Sequence, residues 1–199
     1  RKDSLKKFSV LTLFYENSTR TKTSFTIAAE FLGADVIDLG ISTSSVKKGE
    51  CLVDTVKNLD QMGADIMLMR HGMTGAPHLI AKNCKVSVIN AGDGVNEHPT
   101  QALLDMLTIL EHKGKFEGLK VAIIGDIKHS RVARSNVFGL TKMGANVVLA
   151  GPSTMITSNM KVLGVDVTND VRAAVKDADV IIGLRIQLER QKVGMFPDI

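Results

Sequence analysis

Apolar and polar positions along the chain fall into alternating short blocks. Residues 10–15, Val-Leu-Thr-Leu-Phe-Tyr, form an apolar run that reads as a buried strand. Residues 23–32 have helical spacing, and Gly33 closes that helix. Residues 34–39 read as a second strand. A helix is expected over about 50–62, with Leu52, Val56 and Leu59 on one face. Residues 64–69 form a third strand that ends at Arg70 and His71, followed by a helix over 76–83 and a strand over 86–89. The next helix starts at Pro99 and carries Leu103, Leu104, Leu107 and Leu110 to about His112. After the polar, glycine-punctuated segment 113–118 the pattern restarts. Strand 119–126, helix 131–143 and strand 146–150 follow, then a strand over 180–184 that ends at Arg185. Alternation of this kind predicts an α/β protein whose parallel sheets are covered on both faces. The segment 113–118 is the expected boundary between a first domain, 1–113, which includes a linking helix over about 99–112, and a second, 117–199.

Sheets of this type bind ligands at the carboxyl ends of their strands, so the chemistry is sought there. Ser18-Thr19-Arg20-Thr21 stands where the first strand hands over to a helix. The first amides of a helix are unpaired and its dipole is positive at that end, which favours an anion. Read alone, these residues are also an ordinary Ser/Thr N-cap. Capping needs one hydroxyl, however, and here three flank a guanidinium whose planar fork suits phosphate. Arg70 lies at another strand end. The loop 90–97 has turn chemistry and leads into His98-Pro99-Thr100-Gln101, where His98 reads either as a cap or as a ligand contact. In the second half, Gly125 is the lone glycine after its strand and no G-x-G-x-x-G follows, so a dinucleotide site is poorly supported. Asp126, Lys128, His129, Ser130, Arg131 and Arg134 read instead as a second carboxylate- or phosphate-facing set. Arg185 and Gln187 share a side if their segment is extended. Two arginines at such strand ends suit a dianionic ligand, although solvated surface arginines would look the same.

Composition narrows the classes. With 44% hydrophobic and 23% charged residues, the 199-residue chain can bury a real core. Its net charge of +4 is scattered and aromatics make up 4%, which argues against a nucleic-acid surface. No apolar run reaches the length of a membrane span. Cys51 and Cys84 form neither a C-x-x-C pair nor a metal spacing with the five histidines, so free thiols in the cytoplasm and no metal are expected. The chain opens on Arg1 and stops at Phe196-Pro197-Asp198-Ile199 without a finished element, so a piece of a longer protein, truncated at both ends, is expected.

Ser18-Thr19-Arg20-Thr21, Lys47-Lys48-Gly49-Glu50, Met69-Arg70-His71, His98-Pro99-Thr100-Gln101 and Arg185-Ile186-Gln187 occur in the order found in transcarbamoylases. The resemblance covers essentially the whole chain. Asp126-Ile127-Lys128-His129-Ser130-Arg131 together with residues 185–190 resembles the aspartate branch of that family in particular. The resemblance implies two doubly wound parallel-sheet domains, one for carbamoyl phosphate and one for L-aspartate. It implies a carbamoyl-group transferase of pyrimidine biosynthesis that uses no cofactor and works as a homotrimer with shared active sites. By matching positions, Ser18, Thr19, Arg20 and Thr21 would hold the phosphate, and Arg70, His98 and Gln101 the carbamoyl end. Ser44 and Lys48 match residues that reach a neighbouring subunit's site, and Lys48 also serves the amino acid. Arg131, Arg185 and Gln187 match the residues that hold the aspartate carboxylates. Arg20, Thr21, Lys48, Arg70 and His98 are the expected catalytic set. Ornithine as acceptor, or a non-catalytic anion-binding or assembly module, is the alternative. Regulatory subunits and fused pathway partners stay open.

Overall fold

The computed structural model describes residues 2–40, 51–156 and 158–185. Its chain divides into two compact units, 1–94 and 95–199.

The first unit is a four-stranded parallel sheet, in the order β2-β1-β3-β4, among the described residues. Its strands are β1 (Ser9–Phe14), β2 (Asp35–Leu39), β3 (Ile66–His71) and β4 (Ser87–Asp93), joined through α1 (Thr19–Phe31), α2 (Leu52–Gln61) and α3 (Ala76–Ala81). The apolar runs end up in the middle: Leu11 of β1 pairs with Ile37 on one side and Met67 on the other. Period-2 alternation sends successive side chains to opposite faces. Leu11, Leu13, Met67 and Met69 meet Val56 of α2 and Ile80 of α3 on one face. Val10 and Leu68 meet Ala29 of α1 on the other. Thr12 is fully buried and donates its hydroxyl to Asp38 Oδ1 at 2.8 Å.

The second unit is also a four-stranded, all-parallel sheet among the described residues, but in a different order, β7-β6-β5-β8. It contains α4 (Pro99–Lys113), β5 (Lys120–Ile124), α5 (Arg131–Lys142), β6 (Asn146–Ala150), a 3-10 helix (Ser158–Leu163), β7 (Asp166–Thr168), α6 (Val171–Val175) and β8 (Val180–Gly183). Val121, Ile123, Val147 and Leu149 pack against Ala133, Val137 and Leu140 of α5, with Ile109 of α4 in the same cluster. The smaller opposite face uses Ala122, Ala150 and Ala174. Helices α4 and α5 lie against each other at Gly139, where a Cβ would stand 2.6 Å from Met106 Sδ and the methionine would have to shift.

Three departures from the sequence reading matter for the site. Helix α1 begins at Thr19, not Thr23, so Ser18 is its N-cap and Thr19, Arg20 and Thr21 form its first turn. Strand β4 runs on to Asp93 through residues that read as a turn. There Asn90 Nδ2 donates to Asp93 Oδ1 at 2.8 Å, Gly92 N donates to Asn90 Oδ1 at 2.8 Å, and the pairing with β3 shifts register between Met69 and His71. The 3-10 helix, β7 and α6 had no counterpart in the reading. They are three to six residues long, too short for periodicity to register.

Candidate functional site

In the first unit the described candidate residues, Ser18, Thr19, Arg20, Thr21 and Arg70, lie at the carboxyl ends of β1 and β3. Ser18 is the extended N-cap of α1, yet among the described residues its side chain makes no capping hydrogen bond. The next residues, Thr19, Arg20, Thr21 and Lys22, include no acid. The helix therefore presents unpaired N–H groups and the positive end of its dipole with no anionic side chain of its own turn to answer them. Arg70, the next-to-last residue of β3, is drawn to the same place. Its Nε donates to Glu16 Oε2 at 3.2 Å, and its Nη1 reaches Thr21 Oγ1 at 3.4 Å. The guanidinium is largely buried, with a relative side-chain exposure of 14%. Glu16 thus anchors one edge of a rigid fork and leaves the other directed at the first turn of α1. Lys22 is committed elsewhere: it pairs with Asp38 of β2, and that pairing, helped by the Thr12 hydroxyl and opposed by partial burial, lowers the Asp38 pKa from the ordinary carboxylate value.

Next to Arg70, His71 is held neutral by its surroundings. Burial pushes its pKa below the ordinary value of 6.5, against a smaller upward pull from Glu16. Its Nδ1 accepts from Met73 N at 2.8 Å, and its ring lies 4.7 Å from that of Tyr15. This is a structural histidine that shapes the loop after β3. The same loop is tied to the end of β4: Asp93 Oδ2 accepts from Gly75 N at 2.7 Å, and Gly94 N donates to His71 O at 2.9 Å. Gly94 has φ +47, and a Cβ there would come within 2.8 Å of the backbone at Gly72 and Thr74.

In the second unit, His98 is the N-cap of α4, Pro99 its first residue and Gln101 its third. Among the described residues the imidazole makes no capping bond, and the side chain is buried. What orients this turn is α5. Ser135 Oγ accepts from His98 N at 2.9 Å and donates to Glu97 Oε2, while Arg134 Nε donates to Asn96 O at 3.2 Å. Gln101 Nε2 donates to Asp105 Oδ1 at 2.9 Å.

The set read over 126–134 divides. Asp126 is fully buried and bound to His129, Nδ1 to Oδ1 at 2.9 Å. Ser130 caps α5, its Oγ accepting from Ala133 N at 3.1 Å. These residues, with Arg134, build the loop and the helix start, so the expectation that all six face an anion is corrected. Arg131 is the first residue of α5 and only 2% exposed. Arg185 follows β8 and is exposed. Ser44, Lys48 and Gln187 lie outside the described residues. Sequence reasoning missed Glu16, Glu97, Asp105, Ser135 and Asn136, which hold the candidates in place. Of these, the spacing of four between Gln101 and Asp105 was a visible signal.

Comparison with known proteins finds a match for each half of the chain, with the boundary after α4 rather than before it. The model of the aspartate/ornithine carbamoyltransferase carbamoyl-P binding domain matches residues 1–111, and that of the Asp/Orn binding domain matches 117–194. The catalytic subunit of aspartate carbamoyltransferase from Ruminiclostridium cellulolyticum is 65% identical over 191 residues, and that from Acetivibrio thermocellus is 61% identical over the same length. Each alignment covers 96% of this chain but 61% of the relative, so the chain spans about three fifths of the length of the curated relatives it matches. Among solved structures, aspartate transcarbamoylase from Trypanosoma cruzi in complex with carbamoyl aspartate and phosphate superposes with a TM-score of 0.86 at 32% identity, over 95% of this chain and 65% of that one. The same enzyme with aspartate and phosphate gives a TM-score of 0.85. With both domain models in sequence and relatives this similar over nearly all of its residues, the chain belongs to the aspartate/ornithine carbamoyltransferase family.

Proposed function

We propose that the protein, at its natural full length, transfers the carbamoyl group of carbamoyl phosphate to the α-amino group of L-aspartate, giving N-carbamoyl-L-aspartate and phosphate for pyrimidine biosynthesis. The observation that carries this reading is the start of α1, which has an N-cap hydroxyl unused for capping and Arg20 in its first turn, and where Glu16 holds the Arg70 guanidinium against Thr21. Such an arrangement suits a phosphate that carries an acyl oxygen beside it. The Trypanosoma cruzi relative, solved with carbamoyl aspartate and phosphate, supports the choice of substrates.

In this reading Ser18, Thr19, Arg20 and Thr21 bind the phosphate, and Arg70, His98 and Gln101 bind the carbamoyl end. Arg131, Arg185 and Gln187 bind the aspartate carboxylates. The amine nitrogen attacks the carbonyl carbon and a tetrahedral intermediate forms. The bond from carbon to the phosphate oxygen then breaks, and the amine proton leaves with the phosphate. Thr21, Arg70 and His98 donate to the carbonyl oxygen as it becomes negative, and Arg20 offsets the charge of the departing phosphate. Ser44 and Lys48 complete a neighbouring subunit's site in a homotrimer, and Lys48 contacts both substrates. The free thiols of Cys51 and Cys84 suit a cytoplasmic setting.

The test is phosphate release from carbamoyl phosphate by the full-length protein, offered L-aspartate or L-ornithine. Turnover with aspartate alone is expected. The family name admits ornithine, but Arg131 and Arg185 would repel its cationic side chain. Turnover with ornithine alone would overturn the assignment of those arginines, and a folded protein silent with both would be a non-catalytic binding module. Arg20→Ala should lower kcat by about 10²–10³; a variant that matches the parent removes Arg20 from the mechanism.

A further inference from the structure

We propose that Asp105 and Asn136 are positioning residues that decide which end of the Gln101 amide faces substrate. The proposal rests on the carbamoyl phosphate reading above. Asp105 stands one turn beyond Gln101 on α4, and Asn136 projects from α5. Gln101 Nε2 donates to Asp105 Oδ1 at 2.9 Å, and Asn136 Nδ2 donates to Asp105 Oδ2 at 2.7 Å. Asn136 Nδ2 also donates to Val132 O at 3.1 Å.

The two ends of a glutamine amide have nearly the same size, so packing does not choose between them. Hydrogen-bond chemistry does. A carboxylate only accepts, so it binds the NH2 end of Gln101 and turns Oε1 away from Asp105 as an outward acceptor. The carbamoyl group ends in an NH2 that only donates, so Oε1 is the end that matches it. Reversed, the amide would set NH2 against NH2. Asn136 holds the carboxylate from the buried side. It has no exposed surface, and its Oδ1 is buried without a hydrogen bond among the described residues. Both of its amide protons are thus directed to Asp105 and Val132, although this leaves a costly buried acceptor. The chain Asn136–Asp105–Gln101 carries orientation from the core of the second unit to the first turn of α4.

The experiment measures, on the full-length protein, the affinity of carbamoyl phosphate and of acetyl phosphate, which has a methyl group in place of the NH2. Asp105→Asn keeps shape but can offer its own NH2 to Gln101 Oε1 while its oxygen still accepts from Asn136. Carbamoyl phosphate should then bind about tenfold more weakly, while acetyl phosphate changes by less than about twofold. Gln101→Ala should abolish the preference for carbamoyl over acetyl phosphate, and adding Asp105→Asn to it should change nothing more. Equal weakening of both ligands, the signature of a structural role, overturns the proposal, as does an unchanged preference. If Asp105→Asn does not fold, Asn136→Ser, which loosens the same carboxylate, should lower the preference about threefold; an unchanged preference there overturns it. A wild-type protein that neither binds carbamoyl phosphate nor releases phosphate from it fails the functional reading itself, and the two failures are told apart.

Discussion

Arg70 and His71 are adjacent on β3 and take opposite roles, which their side-chain partners explain. Arg70 is paired with Glu16 and aimed at Thr21, so its charge is kept and directed. His71 accepts a backbone hydrogen bond from Met73 and is desolvated, so its charge is suppressed. The pH consequence follows from the direction of that shift. Because the folded pKa lies below the ordinary 6.5, the unfolded chain takes up the proton first. His71 thus contributes stability that is fully present above about pH 6.5 and is lost as pH falls below it. His71→Asn keeps an acceptor for Met73 N but does not titrate. Its melting temperature should fall less than the wild type's between pH 7 and pH 5, and equal falls would remove His71 as the cause. The sequence at this scale displayed the cations and hydroxyls but not their partners. Glu16 is separated from the Ser-Thr-Arg-Thr stretch only by Asn17 and attracts no notice until Arg70, 54 residues later, reaches it.

Helix starts that look alike in sequence differ in what their first hydroxyl does. Ser130 caps α5 through Ala133 N, whereas Ser18 makes no such bond at α1 among the described residues. Ser130→Ala should therefore cost about 1 kcal/mol of stability in urea denaturation. Ser18→Ala should cost less than about 0.5 kcal/mol, yet weaken the binding of inorganic phosphate several-fold, measured by calorimetry. Equal losses of stability would make Ser18 an ordinary cap. Both serines stand before a helix with Arg close behind, so this difference was not legible in the chain. The boundaries of α1 and β4 were misread for a related reason. Ser, Thr, Asn and Asp favour turns because their side chains compete with the backbone. In α1 the hydroxyls of the first turn do not break the helix, and in β4 Asn90 and Asp93 bond to each other and extend the strand end instead of reversing it.

Over the whole molecule, two four-stranded parallel sheets of different strand order each have their own pair of apolar clusters, and among the described residues the clusters of one unit contain no residue of the other. Leu13, 2% exposed in the first unit, should on change to Ala lose about 2–5 kcal/mol. The loss should appear first in hydrogen exchange of β1 to β4, with β5 to β8 less affected; a uniform rise would mean the units unfold as one.

What the sequence by itself determined was the alternation of buried strands and amphipathic helices, the parallel sheets this implies, and the family, whose motifs are contiguous stretches of three to six residues. All of these are local, written in neighbouring residues with periods of 2 and 3.6. Tertiary structure alone decided which polar side chains are committed to the fold and which are directed outward. Asp126, Ser130 and Lys22 became structural, while Arg70 is bound by Glu16 and Gln101 by Asp105. A hydrogen bond joins groups about 3 Å apart whatever their separation along the chain, and a row of residue types carries no record of such distances. Asn136 is the clearest case: an unmarked residue in the middle of a helix, it acquires its part only because α5 packs against α4 and sets its amide on the carboxylate of Asp105.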